Sequence, residues 1–419
     1  MRRALLAAAV LGALAAACRP PAPPVVVRTG LPTTEPTVRV GIVVDSPEVQ
    51  VSAAGPYEVV LQGGTVLTEA TARDVWSFTA DDAGRLIGRG PGGHRLGPYA
   101  SPVLVRVRDA GRSVLIAGQP YRGGALIRAA GPGRVTAVNV LALEEYLLGV
   151  VPLEIGYRPA AEIEAVKAQA IAARTYAVSH VGSREALGFD FFATVADQVY
   201  GGIGREDSIA ARAVRETRGE ILMYDGAPIL AYYHSTCGGR TAAVDEVWSH
   251  APLPYLKSVS DRVEDGGEGY YCEISNRFRW NVSWTAEALR SALSRALSTR
   301  SGRPVEVRRV ERVEVTGRTP SGRAESLLVV ADGESHRIEG DSIRRVLLQP
   351  GGEMLNSTLF VLDAETSGGE VRSLEANGGG WGHGVGMCQM GAIGRARAGQ
   401  SYRKILTTYY PGAEIVKLY

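Results

Sequence analysis

The sequence predicts an α+β fold: a β-rich N-terminal lobe, then a mixed α/β core with a groove, with a β-rich segment inserted into that core. Three observations predict it. From Thr37 to about Val140, short β-branched runs (VRVGIVV, YEVVLQ, VLVRVR, SVLIAG, ALIRAA) alternate with Gly, Pro, Asp and Asn, the pattern of strands and turns. Between Pro159 and Val181, apolar and small residues recur every three or four positions, the period of a helix. After a further helix over Thr285–Leu297, β signals return from Val305 to Phe360, with a turn at Ser321–Arg323. The predicted divisions are 1–17, 18–36, 37–140, 141–284, 285–360 and 361–419.

Taken in order, the chain begins with Arg2 and Arg3 before an apolar stretch, Ala4 to Ala17, too short to span a bilayer but suited to an export signal. It ends in Ala15-Ala16-Ala17-Cys18, small residues before a cysteine. This predicts cleavage there and acylation of Cys18, giving an exported protein held at the membrane by lipid; Ala15 stands where Leu is more usual. Arg19–Pro36, rich in Pro and Val, reads as an extended tether. The formal charge of +2 falls to about zero once Arg2 and Arg3 are removed, and no basic block interleaves with aromatics, which argues against a nucleic-acid partner. Leu86–Tyr99, rich in Gly and Arg, is expected to be a long loop.

The core is organised around YLLGVVPLEIGYRPAAEIEAVKAQAIAARTYAVSH, Tyr146 to His180. Its apolar run, Leu147 to Leu153, is read as ending in Glu154 where a strand gives way to a helix, with Pro159 in that helix's first turn. Ile163, Val166, Ala170, Ala173, Ala177 and Val181 form a buried stripe, and Glu162, Gln169, Tyr176 and His180 a polar row beside it. A carboxyl with apolar neighbours on both sides is desolvated, which raises its pKa toward that of a usable acid near neutrality. Next come a loop (Phe191–Gly202), a helix over Ser208–Thr217, a strand pair turning at Asp225-Gly226, and the strand AYYH, which runs into Ser235, Thr236, Cys237, Gly238 and Gly239.

The C-terminal GGGWGHGVGMCQMG precedes a helix from about Cys388 to Ala398, a short helix and a terminal strand. Without a βαβ unit, a following Lys-Ser/Thr or a downstream ribose-binding acid, it is not a nucleotide loop; it presents Trp381 and His383 to a cleft. With Cys18 given to lipid, Cys237, Cys272 and Cys388 cannot all pair within one chain. Three readings stand side by side. His234 and Cys237 at metal-ligand spacing, with Cys272 and Cys388, would make a zinc site; two cysteines would form a disulfide and leave one thiol; or Cys237 and His383 would be the nucleophile pair of a Cys/His endopeptidase.

The segments YLLGVVPLEI, EAVKAQAIAARTYA, DQVYGG, YYHSTCGGRTAAVDEVW, RVLLQPGGEMLNSTLF and GGGWGHGVGMCQMGAIGRARAGQSYRKILTTYYPG occur in the order of the SpoIID/LytB family, and YRGG at Tyr121 fits too. The chain resembles that family over nearly all its mature length, with mild departures at Ile155 and Met390. The resemblance implies a lytic transglycosylase acting on peptidoglycan glycan strands stripped of stem peptides, with Glu154 as the catalytic acid. It also brings in a non-catalytic role as enhancer of a partner amidase, and a zinc ion near the site, with His234 in the matching region. The chemistry itself requires no cofactor. Ordinary glycosidases use two carboxylates, whereas this reaction needs one that serves as acid and then base. From residue chemistry, Gln169, Tyr176, His234, Thr241 and His383 are expected to hold sugar hydroxyls and acetamido groups, and Tyr233 and Trp381 to offer stacking faces.

Overall fold

In the computed structural model the residues described are 31–419, except 110 and 265. The predicted export signal, Cys18 and most of the tether lie outside the described residues. Among the described residues, no helix is long and apolar enough to cross a membrane.

The β-branched runs of the N-terminal lobe form two sheets. One runs in the order Phe191–Phe192, Thr37–Ser46, Arg134–Ala142, Gly124–Gly131, Val103–Val107, Tyr57–Leu61, Val66–Ala70. The other runs Gln119–Tyr121, Val114–Ile116, Val49–Ala53, Trp76–Ala80, Leu86–Arg89, Arg95–Tyr99. Inward-facing Val49, Val51, Tyr57, Val59, Phe78 and Val105 are buried, the period-2 pattern of strands with one face against a core. Leu86–Tyr99, expected to be a loop, is instead an antiparallel pair closing the second sheet. Its glycines and arginines masked a strand signal carried by Leu86 and Leu96, both buried against that core.

The strand Arg134–Ala142 runs directly into helix α1 (Leu143–Ile155), and α1 is followed by α2 (Ile163–His180). Leu147–Leu153 is therefore helical, not a strand. Glu144 and Glu145 in the first turn suit the helix N-terminus, and the run is long enough for three turns despite Pro152. The α+β class predicted above is what the structure shows. Helix α2 sits at the centre of its unit: α1, the helices Ser208–Glu216, Gln389–Arg397 and Tyr402–Tyr409, and the strand Glu220–Tyr224 all pack on it. The predicted stripe does not become one core face, because almost every residue from Ala165 to His180 is buried. Small alanines allow neighbours to close in on all sides. A close approach also fixes Gly149 in α1, where an added Cβ would lie 2.7 Å from the Tyr200 ring. Tyr200 in turn donates its hydroxyl to Asn139 Oδ1 at 2.8 Å, pinning the Phe191–Gly202 loop to the sheet.

The described chain divides into two compact units. The elements above belong to the unit built from Pro23–Val244, Pro252–Phe278 and Gly380–Tyr419. The other holds Asp245–Ala251 and Arg279–Gly379. Within it, the antiparallel set Trp280–Thr285, Glu370–Gly378, Phe360–Ser367 and the set Val310–Arg318, Ala324–Ala331, Glu334–Glu339 share a core with the helix Ala286–Ser301. Thr285 caps that helix by accepting from Ala288 N–H, and Gly302 ends it in the left-handed region at φ 70°.

Candidate active site

Glu154 occupies the last turn of α1. Pro152 removes one helical hydrogen bond just before it, and Gly156 at φ 79° ends the helix just after. Glu154 is only partly exposed, while Leu147, Val150, Val151 and Ile155 around it are buried. Burial pushes its carboxyl up to about 7, against the pull of hydrogen bonds from Val199 N–H, Gln389 and Tyr233. The C-terminal end of a helix dipole, which disfavours an anion, acts in the same direction as burial. The Val199 N–H donates to Oε1 at 2.7 Å. The carboxyl is thus held in place by donors yet kept on the edge of ionisation, as an acid that later becomes a base requires.

A buried polar relay fixes one of those donors. Gln198 has no exposed surface; its Oε1 accepts from Tyr146 O–H at 3.2 Å, and its Nε2 donates to Ala173 C=O at 3.3 Å and to the Tyr233 oxygen at 2.9 Å. With its oxygen occupied as an acceptor, the Tyr233 hydroxyl turns its own hydrogen toward Glu154. On the other side, Gln389 Nε2 donates to Gln169 Oε1 at 3.2 Å, so Gln169 reaches Glu154 through Gln389. Gln198, Gln389 and Tyr146 were not singled out in the sequence. The signal was present in DQVYGG and MCQMG, where a glutamine sits among apolar and small residues. Replacing Gln198 by Leu should cost about 1–3 kcal/mol in urea unfolding, because it strands the buried Tyr146 hydroxyl.

The other expected residues fall in different places. Tyr176 is buried, donates to Asp197 Oδ1 at 3.1 Å and stacks on His180 with ring centroids 4.0 Å apart. Burial and the adjacent Asp197 raise its pKa well above the ordinary phenol value, so it is a neutral strut. Burial likewise lowers His180 to about 4, leaving it uncharged. Tyr233, expected as a stacking face, instead aims its hydroxyl at the carboxyl. The structure gives both ring nitrogens of His383 to backbone: Nδ1 accepts from Val385 N–H at 3.1 Å, so Nε2 carries the hydrogen and donates to Tyr233 C=O at 2.9 Å. It pins the strand that carries Tyr233. Thr241 is occupied by Val259, whose N–H donates to its hydroxyl at 2.7 Å. One face of Trp381 is covered by the Arg277 guanidinium, 3.3 Å from the ring centre.

The thiols converge, but not with the partner expected. Cys237, Cys272 and Cys388 are buried, and with Asp261 they form a group whose ligand atoms all lie within 4.8 Å of one another. His234 stands outside this group; its Nδ1 faces Val385 C=O at 3.2 Å. Its spacing from Cys237 was compatible with metal ligation, but as the second residue of the strand Tyr233–His234 its side chain leaves the thiols for the Gly-rich loop, its ring 5.5 Å from that of His383. A Cys237–His383 nucleophile pair is also overturned, since Cys237 has no exposed surface for a substrate to reach.

Comparison with known proteins places the chain among relatives. The family model for stage II sporulation protein (SpoIID) matches residues 132–224, the stretch that carries α1, α2 and Gln198, and a domain of unknown function (DUF8618) matches 264–386. Stage II sporulation protein D of Bacillus subtilis is 30% identical over 296 residues, covering 67% of this chain and 76% of that protein. An uncharacterized protein of Brachyspira hyodysenteriae is 32% identical over 280 residues, 67% of this chain and 68% of its own. The amidase enhancer of Bacillus subtilis is 31% identical over 293 residues, covering 64% of this chain but only 40% of that protein. The chain belongs to the SpoIID/LytB family.

Proposed function

We propose that this protein is a lytic transglycosylase of peptidoglycan, acting outside the cytoplasm on glycan strands stripped of stem peptides and held near the membrane by lipid on Cys18. The observation that carries the reading is Glu154: a single partly exposed carboxyl with its pKa pushed to about 7 and ringed by donors. In its neutral form Glu154 gives its proton to the oxygen between N-acetylmuramic acid and N-acetylglucosamine, and the C1–O bond breaks. The carboxylate left behind is steadied by Val199 N–H, Tyr233 and Gln389. It then takes the proton of the muramoyl C6 hydroxyl as that oxygen bonds to C1, closing a 1,6-anhydro ring. The carboxyl ends protonated as it began, and no water is consumed.

The test is incubation with peptide-free glycan strands in heavy-oxygen water. Fragments ending in anhydro sugar and carrying no heavy oxygen are expected; hydrolytic ends would overturn the reading. Turnover should fall about tenfold per pH unit as pH rises above the Glu154 pKa of about 7, because the first step needs the protonated form. A second reading, in which the chain binds glycan and stimulates a partner amidase, is favoured by the likeness to the amidase enhancer. It predicts sedimentation with the strands and faster amidase turnover, without fragments.

A further inference from the structure

We propose that Cys237, Asp261, Cys272 and Cys388 bind one structural zinc ion, which fastens the two segments that deliver Tyr233 and Gln389 to Glu154. Four soft or anionic ligands enclosed by protein, with no open position, match a structural rather than a catalytic zinc centre. Tetrahedral zinc with Zn–S bonds of about 2.3 Å spaces its sulfurs about 3.8 Å apart. The Cys237 and Cys272 sulfurs are 3.5 Å apart, near that spacing and far from the roughly 2.05 Å of a disulfide.

The surroundings are those of thiolates. Cys388 Sγ accepts from the N–H groups of Cys237 at 3.2 Å and Gly391 at 3.3 Å, and Cys237 Sγ from Gly239 N–H at 3.4 Å. Asp261 divides its two oxygens. Oδ1 accepts from Tyr409 O–H at 2.6 Å and pairs with Arg395 at 3.4 Å, while Oδ2 stands 3.7 Å from Cys237 Sγ. Outer groups of this kind orient a ligating carboxylate. Three thiolates and a carboxylate around a dication leave two negative charges, and Arg395, 1% exposed, offsets one of them. Helix and carboxylate are also fitted closely: an added Cβ on Gly391 would fall 2.5 Å from Asp261 Oδ2. A disulfide would use two sulfurs and leave the third thiol and the carboxylate oxygen facing them unexplained; one cation accounts for all four.

The ion would tie Cys237, four residues beyond Tyr233, to Cys388, the residue before Gln389, in the parallel pair Tyr233–Met387 and His234–Cys388. The inference does not depend on the reaction proposed above, and its test needs no turnover. Full-length protein purified without chelator should contain about one zinc per chain by elemental analysis. Alkylation of the unfolded, unreduced protein should label Cys237, Cys272 and Cys388 alike. Cys272→Ser should hold the metal at least about tenfold more weakly in competition with a chromophoric chelator. Cobalt exchanged into the parent protein should show the visible absorption of a tetrahedral thiolate site, which requires no variant to fold. A disulfide joining any two of the three cysteines, iron in place of zinc, or unchanged affinity in Cys272→Ser would overturn the proposal.

Discussion

Glu154→Gln should give a protein that no longer cuts glycan strands yet unfolds at a higher temperature than its parent at pH 8. The amide keeps the shape of the side chain but has no proton to give, so turnover should fall by at least about 10²–10⁴-fold. The stability gain comes from the same burial that makes the acid useful. Folding raises the Glu154 pKa to about 7 from an ordinary carboxyl value, so the folded state holds the proton more tightly than the unfolded chain. Below the unfolded pKa both states are protonated and there is no penalty. As pH climbs through the window to about 7 the penalty grows, and above it the folded protein carries the full cost of a desolvated carboxylate. Discounted for partial exposure, that cost is on the order of 2–3 kcal/mol. In a chain of this size it corresponds to a few degrees. Melting curves of the two proteins should diverge at pH 8 and coincide at pH 4. Normal cleavage by Glu154→Gln would move the acid role elsewhere, and equal melting at pH 8 would show that burial does not hold the proton.

The sequence was most legible where a feature is local. Alternation in runs such as VLVRVR and the recurrence through α2 are carried by neighbours a few residues apart. The apolar flanks of Glu154 are adjacent to it in sequence and mark a desolvated carboxyl, though they fold as a helix rather than a strand; its role as the acid comes from the family resemblance. The partners of the site were not legible, because they join through space. Val199, Gln389 and Tyr233 reach one carboxyl from three separate segments, and no spacing rule links positions 154, 199, 233 and 389. The metal group shows the same limit. Three cysteines could be counted, but the fourth member, Asp261, is an ordinary aspartate in a loop until Tyr409 and Arg395 aim it at the thiols. His234 was favoured because ligand spacing in sequence is easy to see; the pleat of its strand, which turns it away, is not.

The second large effect concerns what holds α1 and α2 in register. Arg174 in α2 has no exposed surface, and Glu144 at the start of α1 is nearly as enclosed. They form a two-pronged pair, Nε to Oε1 and Nη2 to Oε2, both at 2.8 Å. Arg174 also donates to the carbonyls of Glu220 at 3.1 Å and Val214 at 3.3 Å, and Glu144 accepts from Gly219 N–H at 3.2 Å and Tyr419 O–H at 2.7 Å. Burial alone would raise the Glu144 pKa, but these donors, Arg174 foremost, bring it below the usual carboxylate value. Arg174→Ala should therefore cost about 3–5 kcal/mol, measured by urea unfolding at pH 7, since it leaves a buried carboxylate without its cation. Arg174→Lys should recover little, because a point charge cannot span both oxygens and two carbonyls. Removing both charges, as in Glu144→Gln with Arg174→Met, should cost less than Arg174→Ala alone, the non-additivity expected of a coupled pair. The pH dependence runs opposite to that of Glu154: the Glu144 contribution is present above the ordinary carboxyl pKa and is lost as pH falls through its lowered value. If Arg174→Ala unfolds at the same urea concentration as its parent, the pair is not what joins the two helices. The position of Glu154 at the far end of the 13-residue α1 would then rest on apolar packing alone.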